Sequence, residues 1–104
     1  MSLNFIETEI KDCFIVEPQA LGDERGFFME TYSEKDFLTQ GIGIHFVQDN
    51  QSLSGRGVFR GFHFQTQNTQ TKLVRVIAGS VLDFAIDIRK DSPTYGKYIM
   101  VELS

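Results

Sequence analysis

The residues best suited to chemistry lie close together in one stretch of this chain. Arg60-Gly61-Phe62-His63-Phe64-Gln65 is followed by Lys72 seven residues on and by Gly79 after seven more. A free imidazole changes charge near neutrality, so a histidine can offer a neutral, proton-accepting form at working pH. The ammonium of Lys72 cannot ligate a cation while it is charged, and the amide of Gln65 is a poor ligand for a transition metal. One base and one cation at this spacing suit proton abstraction next to a carbonyl: the imidazole takes the proton and the cation meets the negative charge that gathers on oxygen.

The spacing sharpens that reading. In metal-binding cupin barrels a His-x-His pair is followed by a Glu and then a Gly at similar intervals. Here Gln65 stands at the second His position and Lys72 at the Glu position, so the segment is expected to be barrel-like and to hold no metal.

The elements that must position these groups belong to one small domain, 1–104. The chain has 104 residues, is 41% hydrophobic and 23% charged, and carries a formal charge of −4, which gives no reason to expect nucleic acid or anionic lipid as a partner. No apolar run reaches membrane-spanning length, the N-terminus lacks a secretory pattern, and Cys13 is alone, so no internal disulfide is expected and the cytoplasm is the expected compartment. Ten Phe and no Trp can fill a core or line an aromatic pocket.

Short apolar runs between polar breaks predict an all-β sandwich or barrel of about seven strands with one helical turn. Strands are expected at Phe14–Glu17 (ended by Pro18), Phe27–Tyr32, Phe46–Ser52, Val58–Gln65, Lys72–Ile77, Val81–Ile88 and Lys97–Leu103. Turns are expected at Leu21–Gly26, Ser54–Gly57 and Ala78–Ser80, where Gly and Asp supply backbone freedom. Ser33 with Glu34 and Asp36 behind it predicts a capped, short helix that ends at Gln40-Gly41. Alternation places Asp83 and Asp87 on one face of their strand, either lining a partly polar interior or meeting solvent. Arg60 has the opposite parity to His63, so both reach one site only if Gly61 marks a bulge or sharp bend.

Other candidates carry two readings each. His63 could be a packed, hydrogen-bonded histidine, and Lys72 a solvated surface residue or a partner of Asp83. Arg25 and Glu30 could form a surface ion pair, or Arg25 could recognise a phosphate or ring edge in forked geometry. Gln48-Asp49-Asn50 could simply end a strand or offer several hydrogen bonds to a polar ligand. His45 and Cys13 read as packing residues, and Ser52 and Ser54 lack the partners a nucleophilic serine needs.

The chain resembles the N-terminal part of the dTDP-4-dehydrorhamnose 3,5-epimerases, a family of metal-independent, cofactor-free, dimeric cupin-like jelly rolls. The resemblance rests on Gly22-Asp23-Glu24-Arg25-Gly26-Phe27-Phe28-x-Glu30, Phe46-Val47-Gln48-Asp49-Asn50-x-Ser52, Val58-x-Arg60-Gly61-x-His63-x-Gln65, Gln70-x-Lys72-Leu73-Val74-Arg75 and Asp87-x-Arg89-x-x-Ser92-Pro93-Thr94-x-Gly96. It implies inversion of C3 and C5 of dTDP-4-dehydro-6-deoxy-D-glucose, with His63 as general base and Lys72 stabilising the C4 enolate. By the same resemblance Arg60 would bind substrate, and Arg25, Glu30, Gln48, Asp49 and Asn50 would bind the nucleotide, some of them across a homodimer that exchanges N-terminal strands. Family members are longer, and their C-terminal half carries a general-acid Tyr and the Asp that orients the base. Tyr32, Tyr95 and Tyr98 do not match that Tyr, so half of a site is expected here; a non-catalytic dTDP-sugar binder or an inactive fragment is the alternative.

Overall fold

A computed structural model of the protein describes residues 3–104. The fold is all-β with one short helix, in the order β1 (Leu3–Glu7), β2 (Phe14–Pro18), β3 (Ala20–Asp23), β4 (Gly26–Met29), α1 (Glu34–Thr39), β5 (Val81–Ile86) and β6 (Tyr98–Leu103). The strands form three antiparallel pairs, β1–β2, β3–β4 and β5–β6.

Each hairpin follows from its turn chemistry. Between β1 and β2 the Thr8 hydroxyl donates to the Cys13 carbonyl at 2.7 Å and accepts from the Ile10 amide at 3.2 Å, which sets the register from Leu3↔Pro18 to Glu7↔Phe14. Asp12 in this turn has φ +68°, a left-handed conformation that Asp tolerates better than most residues. The strand β1 had no counterpart in the sequence reading, and Pro18 is the last residue of β2 rather than the residue after it. Between β3 and β4 the loop is only Glu24-Arg25, because Asp23 pairs with Gly26. Asp23 accepts the Arg25 amide at 2.9 Å, and Gly26 takes φ +131°, open only to glycine. The turn is therefore narrower than Leu21–Gly26, and the following strand stops at Met29 instead of Tyr32.

The helix forms as its sequence predicts. The Ser33 hydroxyl accepts from the Asp36 amide at 3.3 Å, Glu34 and Asp36 face the positive end of the helix, and Gln40 closes it. Its one buried residue is Phe37. That ring meets Phe5 edge-on at a centroid distance of 5.0 Å, Tyr32 at 4.9 Å and Phe46 at 6.3 Å, with Phe14 against Phe5 at 6.5 Å. This aromatic cluster docks α1 and Phe46 on the β1–β2 hairpin.

In the β5–β6 hairpin the two faces differ. Asp83 and Ala85 lie with Ile99, Val101 and Leu103 on the half-buried face, whereas Leu82, Phe84, Ile86, Tyr98 and Met100 are exposed. The Asp83 and Asp87 face matches neither expectation in full: Val81 at its start is exposed, Asp83 and Ala85 are half-buried, and Asp87 is buried.

The predicted strands at Phe46–Ser52, Val58–Gln65 and Lys72–Ile77 are not strands in this structure. A strand exists only through ladder bonds to a neighbour, and these segments have none. Among the described residues, the one backbone hydrogen bond between 43 and 80 runs from the Val58 amide to the Gly55 carbonyl at 3.4 Å. Six strands therefore replace the seven expected. The consequence is an open architecture. The chain exposes 9161 Å², where a compact chain of 11.9 kDa exposes about 5,900 Å². The Cα radius of gyration is 15.3 Å against about 13 Å for a closed domain of this length.

Candidate functional site

His63 and Lys72 both fall in the strandless stretch between α1 and β5. His63 is exposed, and a Cβ built on Gly61 would stand 3.7 Å from the His63 Nδ1. Gly61 has φ +130°, a conformation reserved for glycine. The unusual backbone expected at Gly61 is present as this positive φ, but no hydrogen bond joins Arg60 to His63 among the described residues. Arg60 folds back on its own loop. Its Nε donates to the Ser54 hydroxyl at 2.9 Å and its guanidinium to the Leu53 carbonyl at 3.4 Å.

Lys72 is exposed and lines a cleft of about 500 Å³, whose walls include Asp12, Cys13, Phe14, Phe37 and Phe46. The cleft has an aromatic floor, supplied by the same rings that dock α1, and Lys72 is the lysine on its walls. Such a cleft can hold a flat, partly apolar ring with an electron-rich oxygen near the ammonium. Among the described residues, no hydrogen bond or ion pair joins Lys72 to His63 or to Asp83.

The remaining candidates are separate. Arg25 pairs with Asp23 rather than with Glu30: its guanidinium reaches the Asp23 carboxylate at 2.6 Å. That hydrogen bond holds Asp23 below the usual carboxylate range and raises Arg25. Both side chains are well exposed, so the pair contributes little to stability and leaves Arg25 free to exchange partners. Glu30 is half-buried just after β4. Gln48 donates to Asn50 at 3.3 Å, so two of the three residues of that run already share a hydrogen bond, and Asp49 lies exposed between them. Among the described residues no group of three or more His, Cys, Asp or Glu side chains could hold a metal ion.

A polar cluster to which the sequence reading gave no role surrounds Asp87. Its carboxylate accepts from Arg89 Nε and Nη2, each at 3.0 Å, and from the hydroxyls of Ser92 and Thr94, each at 2.6 Å. The Arg89 amide adds a fifth bond at 3.0 Å. Arg89 first, then the two hydroxyls, hold the Asp87 carboxyl far below its ordinary range. The signal was in the sequence: Asp-x-Arg places a guanidinium and an amide two residues from a carboxylate, and Ser-x-Thr returns two hydroxyls to it.

A profile of the family described as dTDP-4-dehydrorhamnose 3,5-epimerase matches residues 7–104. The dTDP-4-dehydrorhamnose 3,5-epimerase of Methanothermobacter thermautotrophicus is 52% identical over 100 residues, covering 96% of this chain and 54% of that protein. The Shigella flexneri protein of the same name is 52% identical over 105 residues, covering 98% and 58%. Among solved structures, the Elizabethkingia anophelis enzyme superposes with a TM-score of 0.90 at 45% identity, covering all of this chain and 58% of that one. The Legionella pneumophila dTDP-6-deoxy-D-glucose-3,5-epimerase, solved in complex with dTDP-4-keto-L-rhamnose, superposes at 0.88 with 51% identity, covering 98% and 55%. The hairpins thus take the course of one part of a cupin-like jelly roll, and the chain spans a little over half the length of the relatives it matches.

Proposed function

The chain belongs to the dTDP-4-dehydrorhamnose 3,5-epimerase family, and from that membership we propose that it carries the base and the enolate-stabilising cation of a nucleotide-sugar epimerase. The substrate is dTDP-4-dehydro-6-deoxy-D-glucose. C3 and C5 both neighbour the C4 ketone, so loss of either proton gives an enolate. His63 accepts the proton through its neutral imidazole. Lys72 meets the charge on the C4 oxygen, at the rim of a cleft whose apolar floor strengthens that attraction. Arg60 binds substrate, and Arg25, Glu30, Gln48, Asp49 and Asn50 bind the dTDP portion. Return of a proton to the opposite face completes each inversion.

The observation that carries this reading is the coincidence, on one chain 52% identical to family members, of His63 two residues after a positive-φ Gly61 with a Lys72 that lines an aromatic cleft. Solvent exchange tests it. The protein is incubated with substrate in deuterated buffer and the C3 and C5 positions are followed by NMR. Deuterium entering at rates that fall in His63→Ala supports the proposal; equal rates in wild type and His63→Ala overturn it.

The protein works as a homodimer in the cytoplasm, with β1 available for exchange between subunits. The support is the surplus of about 3,200 Å² per chain over a compact one, roughly 6,400 Å² for a pair, at the upper end of obligate interfaces, whose area counts both partners. A second reading, a dTDP-sugar binder without turnover, is favoured by the exposure of His63, which has no hydrogen-bond partner among the described residues to fix its ring. Calorimetry with dTDP separates the two: binding without deuterium exchange assigns the binder.

A further inference from the structure

We propose that the Asp87–Arg89–Ser92–Thr94 cluster is a lock that fixes the Lys11–Phe14 segment as one wall of the Lys72 cleft, which makes Arg89 and Thr94 positioning residues for that site. The inference builds on the reading of Lys72 as part of a substrate site, and its first test does not depend on that reading.

The geometry runs from a buried anchor to the cleft wall. Asp87 is the one buried charged residue among those described, with its side chain fully shielded. It sits at the end of β5, where its amide donates to the Lys97 carbonyl and its carbonyl accepts from the Gly96 amide, both at 2.8 Å. The anchor therefore moves only with the β5–β6 hairpin. From it, Arg89 reaches across the chain. One guanidinium nitrogen donates to the Lys11 carbonyl at 2.7 Å and another to the Asp12 carboxylate at 3.4 Å. Thr94 makes the same crossing in the other sense: its hydroxyl donates to Asp87 at 2.6 Å and accepts from the Lys11 amide at 3.1 Å. Both backbone groups of Lys11 are thus tied to residues about eighty positions away.

Asp12 is where the lock meets the site. It touches Arg89 on one side and lines the Lys72 cleft on the other, beside Cys13 and Phe14. Its φ of +68° lies outside the conformations an aspartate takes most readily, so the segment relaxes when its ties are cut. The lock acts on the cleft through backbone position. It takes no part in proton transfer.

The test follows hydrogen–deuterium exchange of the Cys13 amide, which donates to the Ile10 carbonyl at 3.2 Å, as a reporter of that wall. Exchange is timed under native conditions in wild type, Arg89→Met, Thr94→Val and Thr94→Ser. Cutting one or two hydrogen bonds to a charged group raises the open population about tenfold or more, so the Cys13 amide of Arg89→Met and Thr94→Val labels correspondingly faster, and Thr94→Ser, which keeps the hydroxyl, stays at the wild-type rate. The faster rates are expected to be insensitive to low urea, the mark of local opening; a general loss of stability gives a steep urea dependence. Labelling within twofold of wild type in both variants overturns the proposal, as does a steep urea dependence. Should Arg89→Met not fold, the Thr94→Val and Thr94→Ser pair decides alone. Where substrate exchange is observed, the lock variants raise KM and leave kcat within about twofold. Absence of substrate exchange in the wild type counts against the functional reading, and the amide result still decides the lock.

Discussion

Phe37→Ala is expected to cost this protein more than any substitution in the His63 segment. Phe37 is 4% exposed and is the one ring that touches the β1–β2 hairpin, Tyr32 and Phe46 together. Removing a buried phenyl costs about 3–5 kcal/mol, and the edge-on contact with Phe5 and the tilted one with Tyr32, aromatic pairs worth about 0.5–1.5 kcal/mol each, place the loss toward the upper end. A chain of this size loses roughly 4–8 °C of Tm per kcal/mol, so a fall of about 12 °C or more follows from the lower bound. Phe59, 71% exposed, is the control, and Phe59→Ala should stay within about 0.5 kcal/mol of wild type. Urea titration followed by circular dichroism measures both. The lower wall of the Lys72 cleft is made by the same cluster, so Phe37→Ala should also weaken dTDP binding. If Phe37→Ala and Phe59→Ala lose equal stability, the aromatic cluster is not what holds α1 and the N-terminal hairpin together, and the account of the core is wrong.

Three further outcomes are expected. In the deuterium-exchange assay, His63→Ala should slow exchange by roughly 100- to 10,000-fold, the usual contribution of a positioned base; Lys72→Met should slow it by about 100- to 1,000-fold, as for a lost oxyanion donor. The Asp87 carboxyl titrates below its unfolded value, so its contribution is fully present above about pH 4 and is lost as the pH falls below that. The urea midpoint of wild type should therefore hold from pH 8 to 5 and drop on acidification below about 4, whereas Asp87→Asn should show a lower midpoint throughout and a smaller acid drop. Analytical ultracentrifugation should find the chain self-associated at micromolar concentration, and a charge placed on the exposed sheet face, as in Phe84→Lys, should shift it toward monomer. A monodisperse wild-type monomer would remove the support for the dimer.

What the sequence made legible was what local chemistry determines. Ser33, Glu34, Asp36 and Gly41 carry the start and stop of α1 in their own side chains, and the structure follows them to the residue. Strand β5 alternates cleanly and turns at Gly79, so its extent and that of β6 were readable within two residues. The Arg25 ion pair was misjudged because a carboxylate two residues away competes better than one five residues away. The Asp87 cluster was present as a spacing of residue types, yet its partners at Lys11 and Asp12 depend on a fold-level contact that no local pattern states.

The least legible region is also the most chemical one. Gln48, Asp49, Asn50, Arg60, His63 and Lys72 all fall between 43 and 80, where branched and aromatic residues promise strands and the structure pairs none of them. A strand's sequence shows that its side chains fit a pleated surface; it does not show which chain supplies the neighbouring ladder. Backbone N–H and C=O groups in those segments must find partners wherever they become buried. Any chain that lies beside them, from a second copy or from a longer polypeptide, would fix strand register and side-chain facing together, since a shift of one residue turns His63 from one face to the other. On the proposed function, then, the pairing of these segments and the assembly of a base opposite a cation are one structural event. The same aromatic cluster that docks Phe46, and the same lock that holds Asp12, set the fixed walls against which that event takes place.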